Sequence, residues 1–206
     1  MNVLLINGSP HPNGCTRTAL NIVAATLQEN GIDTEIMNIG HRNIRGCLAC
    51  GRCQELGRCV FDDDPVNEAA RRLEQADGLV IGSPVHYASA SGAITSFLDR
   101  LFFSTPFSKR MKVGASIASA RRAGTTATLD QLNKYFTICE MPIVSSRYWP
   151  MVHGHTPDDV MQDHEGVQIM RILGRNMAFL IKAIASERDR NGLPQQEETV
   201  YTNFIR

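Results

Sequence analysis

Apolar residues along the chain come as short unbroken runs and as longer stretches of helical period, and the two kinds alternate. Val3-Leu4-Leu5-Ile6 is an unbroken β-rich run of the type buried on both faces of a parallel sheet, and Asn7-Gly8-Ser9-Pro10 stops it. Thr18, Leu20, Ile22, Val23, Ala25 and Leu27 fall largely on one helical face, and Gly31 after Asn30 supplies the C-terminal stop. Ile32 to Ile39 alternates as a second strand. Asp64-Pro65 opens a helix that reaches about Ala76, with proline in its first turn. Gly78-Leu79-Val80-Ile81-Gly82 is a third buried strand, ended by Ser83-Pro84. Ser91 stands at the N-cap of the next helix, where Ala93, Ile94, Phe97, Leu98, Leu101 and Phe102 recur every 3.6 residues. Val113 to Ala118 and Pro142 to Ser145 complete five strands, and helices around Thr125 to Ile138 and Gly166 to Ala185 supply the remaining crossovers. His41 to Asp64 has little apolar period and is too long for an ordinary connection, so a functional role is expected there.

Strands alternating with helices imply an α/β fold, with a five-stranded parallel, doubly wound sheet between two helical layers and a ligand beyond the carboxyl ends of the strands. The length of 206 residues suits one domain over 1–206, with a cysteine-rich loop at 41–64 and a C-terminal helix and tail at 163–206. Lys plus Arg equals Asp plus Glu at 21 each, which leaves no excess charge for a phosphate backbone or an anionic bilayer. No nucleic-acid or membrane partner is expected. Met1 to Ile6 runs directly into a strand pattern and no apolar stretch approaches a membrane span, so a cytoplasmic protein is expected.

The first strand-to-helix junction has the chemistry of a phosphate loop. A bound phosphate needs amides converging on a helix N-terminus, small residues for close approach, and hydroxyls to complete the cage. Ser9, Asn13, Gly14, Thr16 and Thr18 meet that need; a tight turn without a ligand is the plain alternative. No lysine marks a nucleotide P-loop, and G-x-G-x-x-G is absent. Gly82 to Tyr87 and Ala118 to Gly124 end two further strands on the same sheet edge, so three loops surround one ligand. With these segments the chain resembles the NAD(P)H-dependent FMN reductase branch of the flavodoxin-like superfamily over about residues 1 to 147. The resemblance implies FMN, with Ser9, Gly14, Thr16 and Thr18 at the phosphate, Pro84, Val85, His86 and Tyr87 at the flavin edge, and Ser119, Arg121 and Gly124 at the pyrimidine end. His86 replaces the more usual tyrosine after Pro-Val. Arg121 or Arg122 could stabilise negative charge on a reduced flavin or simply be solvated.

Four of the six cysteines form C-x2-C-x2-C-x5-C through Cys47, Cys50, Cys53 and Cys59. The compact first three positions are those by which one loop wraps an iron-sulfur cluster, whereas zinc sites more often pair two separated C-x2-C knuckles. A 4Fe-4S cluster, a zinc ion and cluster-free thiols all remain open. Gly46, Gly51 and Gly57 let the loop curl. The segment Gly46 to Asp64, with its acidic run Asp62-Asp63-Asp64, resembles the iron-sulfur flavoproteins; that implies FMN plus a 4Fe-4S cluster, dimers or tetramers, and electron passage between the two centres. The acidic run is read as an N-cap for the helix after Pro65. Cys15 and Cys139 are read as packed small residues without chemistry.

Ser146 to His155 concentrates aromatics, histidines and the only Trp, and Trp149 and His153 are the candidates for substrate contact. The polar tail offers Tyr201 and Phe204 as anchors on a neighbouring subunit. The expected function is an oxidoreductase in which FMN takes electrons from NAD(P)H or a protein donor and passes them to a small-molecule or protein acceptor. A cluster-free FMN, quinone or azo reductase is the runner-up, and a non-catalytic flavodoxin-like carrier or a zinc-stabilised module comes from another class. A homodimer or homotetramer is expected, from the width of the apolar face of Ile94, Phe97, Leu98, Leu101 and Phe102.

Overall fold

The structure is a computed structural model and describes residues 1–202. Five parallel strands lie in the order β2 (Asp33–Asn38), β1 (Asn2–Asn7), β3 (Gly78–His86), β5 (Val113–Ala120), β6 (Met151–His153). This is the flavodoxin order, with its switch point between β1 and β3. Helices α1 (Cys15–Glu29), α3 (Val66–Gln75), α4 (Gly92–Ser104), α5 (Thr125–Thr137) and α7 (His164–Asn191) cover both faces, and two short helices, α2 (Cys53–Leu56) and α6 (Pro157–Gln162), stand in connections.

Strand alternation sorts the core. Val3, Leu5, Val80, Ala115 and Ile117 face α1 and α7, while Leu4, Ile6, Leu79 and Ile81 face α3, α4 and α5. The buried face of α4 is fully consumed by this second layer: Ile94, Phe97, Leu98 and Leu101 are fully buried in it and Phe102 is half-buried. That corrects the expectation that the same side chains leave a surface for a partner. Phe103, on the other side of the helix, is the exposed one.

Two strands depart from the sequence pattern. β3 continues through Ser83-Pro84 to His86 and folds back on β4 (Ser89–Ala90) as an antiparallel hairpin. Pro84 is tolerated because β1 ends its ladder opposite Gly82, so no neighbour on that side asks for the missing N–H. The edge strand is split: Ile143 bridges to Gly114, the chain bulges through Ser145 to Pro150, and β6 resumes pairing against Ala118–Ala120. Pro142 to Ser145 is therefore only the first piece of the fifth strand. Ser91 does hold the N-cap of α4, but its hydroxyl accepts no helix amide and instead donates to the Gly8 carbonyl (2.9 Å), tying α4 to the first loop.

Candidate functional site

The carboxyl ends of β1, β3 and β5 meet at one edge and enclose an open cleft of about 680 Å³. Its floor is the β1–α1 loop, and that loop is shaped by its own hydrogen bonds. Asn7 accepts the Ser9 amide on Oδ1 (3.1 Å) while its Nδ2 donates to Asn38 (2.9 Å). Ser9 Oγ accepts the His11 amide (3.1 Å), and Gly14 donates to the His11 carbonyl (3.0 Å). Gly40 presses on the loop from below, where a Cβ would come within 2.3 Å of the Gly8 carbonyl oxygen. Helix α1 then starts with no side-chain cap and no acidic residue in its first turn. Its first-turn amides and positive dipole end thus face the cleft, the arrangement an anion needs.

Ser9, Asn13, Gly14, Thr16, Pro84, Val85, His86, Ser119 and Arg121 all line this cleft. Thr16 is buried, its hydroxyl 2.7 Å from Ser119 Oγ, so the phosphate-type loop is tied directly to β5. Three expected residues stand outside. Thr18 is one turn further along and donates to the Gly14 carbonyl (3.3 Å). Tyr87 has a left-handed backbone (φ 58) at the hairpin turn and its side chain is wholly exposed. Gly124 (φ 89) does not line the cleft but lets the loop close on Val85, which a Cβ there would approach to 2.6 Å.

The β6–α6 connection forms a wall that the hydrophobic pattern does not reveal: Gly154, His155, Thr156 and Pro157. Its signal lies in Thr156-Pro157-Asp158-Asp159, a capping box with proline at the first turn. Asp159 accepts the amides of His155 and Thr156 (both 2.9 Å), and these bonds hold its carboxyl below the ordinary value of 3.8. His11, Pro12, Cys15 and Ala120 complete the lining. Cys15 donates to the Gly154 carbonyl (3.6 Å), and burial pushes its thiol up. Trp149 and His153 do not reach the cleft. Trp149 packs at a tilt against Tyr148, ring centroids 4.8 Å apart, in the exposed bulge, and the backbone amide of His153 donates to Asp163 (2.7 Å), the N-cap of α7.

A second cavity, beside α4, is lined by all four clustered cysteines with Phe61, Phe103, Arg100 and Ser104. Cys47 and Cys50 are exposed, Cys53 is half-buried and Cys59 is buried. Among the described residues no three His, Cys, Asp or Glu side chains stand close enough to hold a metal ion. The walls nevertheless carry the donor set of a thiolate-bound cluster: four free thiols line one apolar cavity, Arg100 Nε donates to Cys59 Sγ (3.3 Å), and the buried Ser104 hydroxyl has no partner among the described residues. Asp62-Asp63-Asp64 is used differently from a simple cap. Asp64 does accept the Val66 amide (3.2 Å), yet both its oxygens also bind Arg100. Asp62 accepts from Asn67 (2.8 Å) and pairs with Arg58 (3.3 Å), both of which lower its carboxyl.

Sheet order and cleft together define a flavodoxin-like α/β protein with an open cleft at the switch point. A family model described as NADPH-dependent FMN reductase matches residues 1–156. The chain is 34% identical over 200 residues to an iron-sulfur flavoprotein of Methanocaldococcus jannaschii, covering 89% of this chain and 99% of that protein. It is 25% identical over 194 residues to an iron-sulfur flavoprotein of Methanosarcina thermophila, covering 92% and 100%. Among solved structures, RosB with its bound intermediate 8-demethyl-8-formylriboflavin-5'-phosphate matches with a TM-score of 0.71 at 14% identity, covering 100% of this chain and 94% of that one, a likeness of fold alone. The chain belongs to the NADPH-dependent FMN reductase family, with iron-sulfur flavoproteins among its relatives. It is an FMN-type oxidoreductase, and no helix among the described residues is long and apolar enough to cross a membrane.

Proposed function

We propose that the cleft binds FMN with its phosphate on the Ser9–Thr16 loop, and that electrons from NAD(P)H or a protein donor leave through a 4Fe-4S cluster held by Cys47, Cys50, Cys53 and Cys59. The observation that carries the flavin assignment is the uncapped N-terminus of α1 opening into the cleft between the ends of β3 and β5. FMN supplies hydride acceptance and one-electron release when bound. The residues do the rest. Amides at the start of α1 and the Thr16–Ser119 hydroxyl pair hold the phosphate, and Pro84 to His86 form one side of the ring slot. Arg121 places a positive charge where the pyrimidine end would lie, which favours an anionic reduced ring.

The cluster would add one-electron transfer, and its support is that all four thiols line a single cavity with the orphaned Ser104 hydroxyl. A cluster-free FMN, quinone or azo reductase is the second reading, favoured by the spread of the thiols, no three of which stand at metal-holding distance among the described residues. Leu48, Val60 and Phe103 give the cysteine face an exposed apolar surface, which supports a homodimer or homotetramer. Anaerobic purification followed by FMN, iron and sulfide analysis separates the readings. Flavin with iron and sulfide is expected; flavin alone would establish the second reading, and neither would remove both.

A further inference from the structure

Arg100 is the largest fully buried side chain of the core, and its carboxylate partner Asp64 is buried with it. Burying an ion pair costs both groups their hydration, and an apolar pair of the same size would often be as stable, so a guanidinium retained here calls for a use beyond stability. Its bonding pattern supplies one. All five N–H donors are taken: Nε donates to Cys59 Sγ (3.3 Å), Nη1 to the Arg45 carbonyl (3.3 Å) and to Asp64 Oδ2, and Nη2 to the Phe61 carbonyl (3.4 Å) and to Asp64 Oδ1 (3.2 Å). The acceptors bracket the cysteine segment. Arg45 precedes Cys47, Cys59 is the last thiol, and Phe61 and Asp64 follow it. The Phe61 ring sits under two guanidinium groups, 4.4 Å from that of Arg45 and 5.5 Å from that of Arg100. The helix that presents Arg100 is fixed, because Phe97, Leu98 and Leu101 beside it are fully buried.

We infer that Arg100 is the positioning residue of the cysteine loop: from rigid α4 it clamps both ends of the segment 45–64 and donates an N–H to the Cys59 sulfur, holding the loop ready for the cluster and raising the cluster's midpoint potential. This rests on the reading that the four thiols carry a 4Fe-4S cluster. The electrostatic part follows because hydrogen bonds and positive charge at a cluster sulfur stabilise the reduced, more negative state. The positioning part follows from geometry. A lysine would keep the charge but could not present a planar fork to a carboxylate, two carbonyls and a sulfur at once.

The test compares full-length wild type with Arg100→Lys, both purified without oxygen. FMN content and melting report folding, iron retention against a chelator and the EPR-monitored midpoint potential report the cluster, and alkylation of Cys59 in the iron-free chain, read by mass spectrometry, reports the clamp. Arg100→Lys is expected to keep FMN, to hold iron about tenfold less tightly, as loss of an outer-shell partner of a metal ligand does, to shift the potential downward, and to expose Cys59 to faster alkylation. A folded Arg100→Lys protein with wild-type potential and wild-type Cys59 protection would overturn the inference. If wild type binds FMN but no iron, the cluster reading falls, and the alkylation arm still decides whether Arg100 holds the loop. Should Arg100→Lys fail to bind flavin, Asp64→Asn takes its place: faster Cys59 alkylation than in wild type supports the clamp, and unchanged alkylation overturns it.

Discussion

Thr16 is where a single side chain has most leverage on the flavin cleft. It is buried, bonded to Ser119 across the floor, and packed so closely that a Cβ on Gly82 would come within 2.9 Å of its methyl. Thr16→Leu removes a hydroxyl from the proposed phosphate cage and adds volume where no space exists, so FMN should be lost on gel filtration. Ser119→Ala removes only the partner hydroxyl and should weaken FMN by a dissociation constant change worth about 1 kcal/mol in a fluorescence titration. Cys53→Ala should cost the iron while leaving FMN bound, because the cysteine cavity and the flavin cleft share no lining residue. A Cys53→Ala protein that loses flavin together with iron would show that the two sites are coupled.

The β6–α6 connection gives a test at the level of an element. Asp159 holds His155 and Thr156 in the cleft wall, and its carboxyl titrates below the ordinary 3.8. A group with a lowered folded value stabilises above its unfolded value and loses that contribution as pH falls through the folded one. The melting temperature of wild type should therefore exceed that of Asp159→Asn at neutral pH, with the gap shrinking only as pH drops below 3.8. A gap that stays constant into acid would place the effect elsewhere. In α4, Phe97→Ala should cost about 3–5 kcal/mol in denaturant unfolding, since the ring is wholly buried and its removal leaves a cavity between the helix and the sheet. Elements like α4 and the β1–α1 loop were legible in the sequence because period and turn chemistry are local signals. The split edge strand was not: Pro142 to Ser145 and Met151 to His153 are two fragments of one strand, and the bulge between them hides their common register. Gly154 to Pro157 escaped for the same reason, since a wall supplied by a connection follows neither strand nor helix period, although the Thr156–Asp159 box was there to be read. Trp149 and His153 are the kinds of residue that contact ligands, yet composition says nothing about which way a loop turns. Phe204, offered as a subunit anchor, lies outside the described residues, while Tyr201 is exposed.

At the scale of the whole molecule, the sheet sets the flavin cleft at the ends of β1, β3 and β5, while α4 carries the cysteine cavity along its side. The α4 core face is spent within the chain, so any partner must use other surface, such as Leu48, Val60 and Phe103. Light scattering at micromolar concentration should give the mass of a dimer or tetramer, and Phe103→Glu should lower it without lowering FMN content. The central claim is that FMN occupies the cleft above α1 and accepts electrons there. Its most direct measurement is an anaerobic titration of the purified chain with NADPH, then NADH, following flavin absorbance beside the Thr16→Leu variant. Stoichiometric flavin bleached by at least one of the two nucleotides in wild type, and no bound flavin in the variant, is the expected result. A wild-type chain that carries no flavin, or a Thr16→Leu chain that retains and reduces it like wild type, would contradict the assignment.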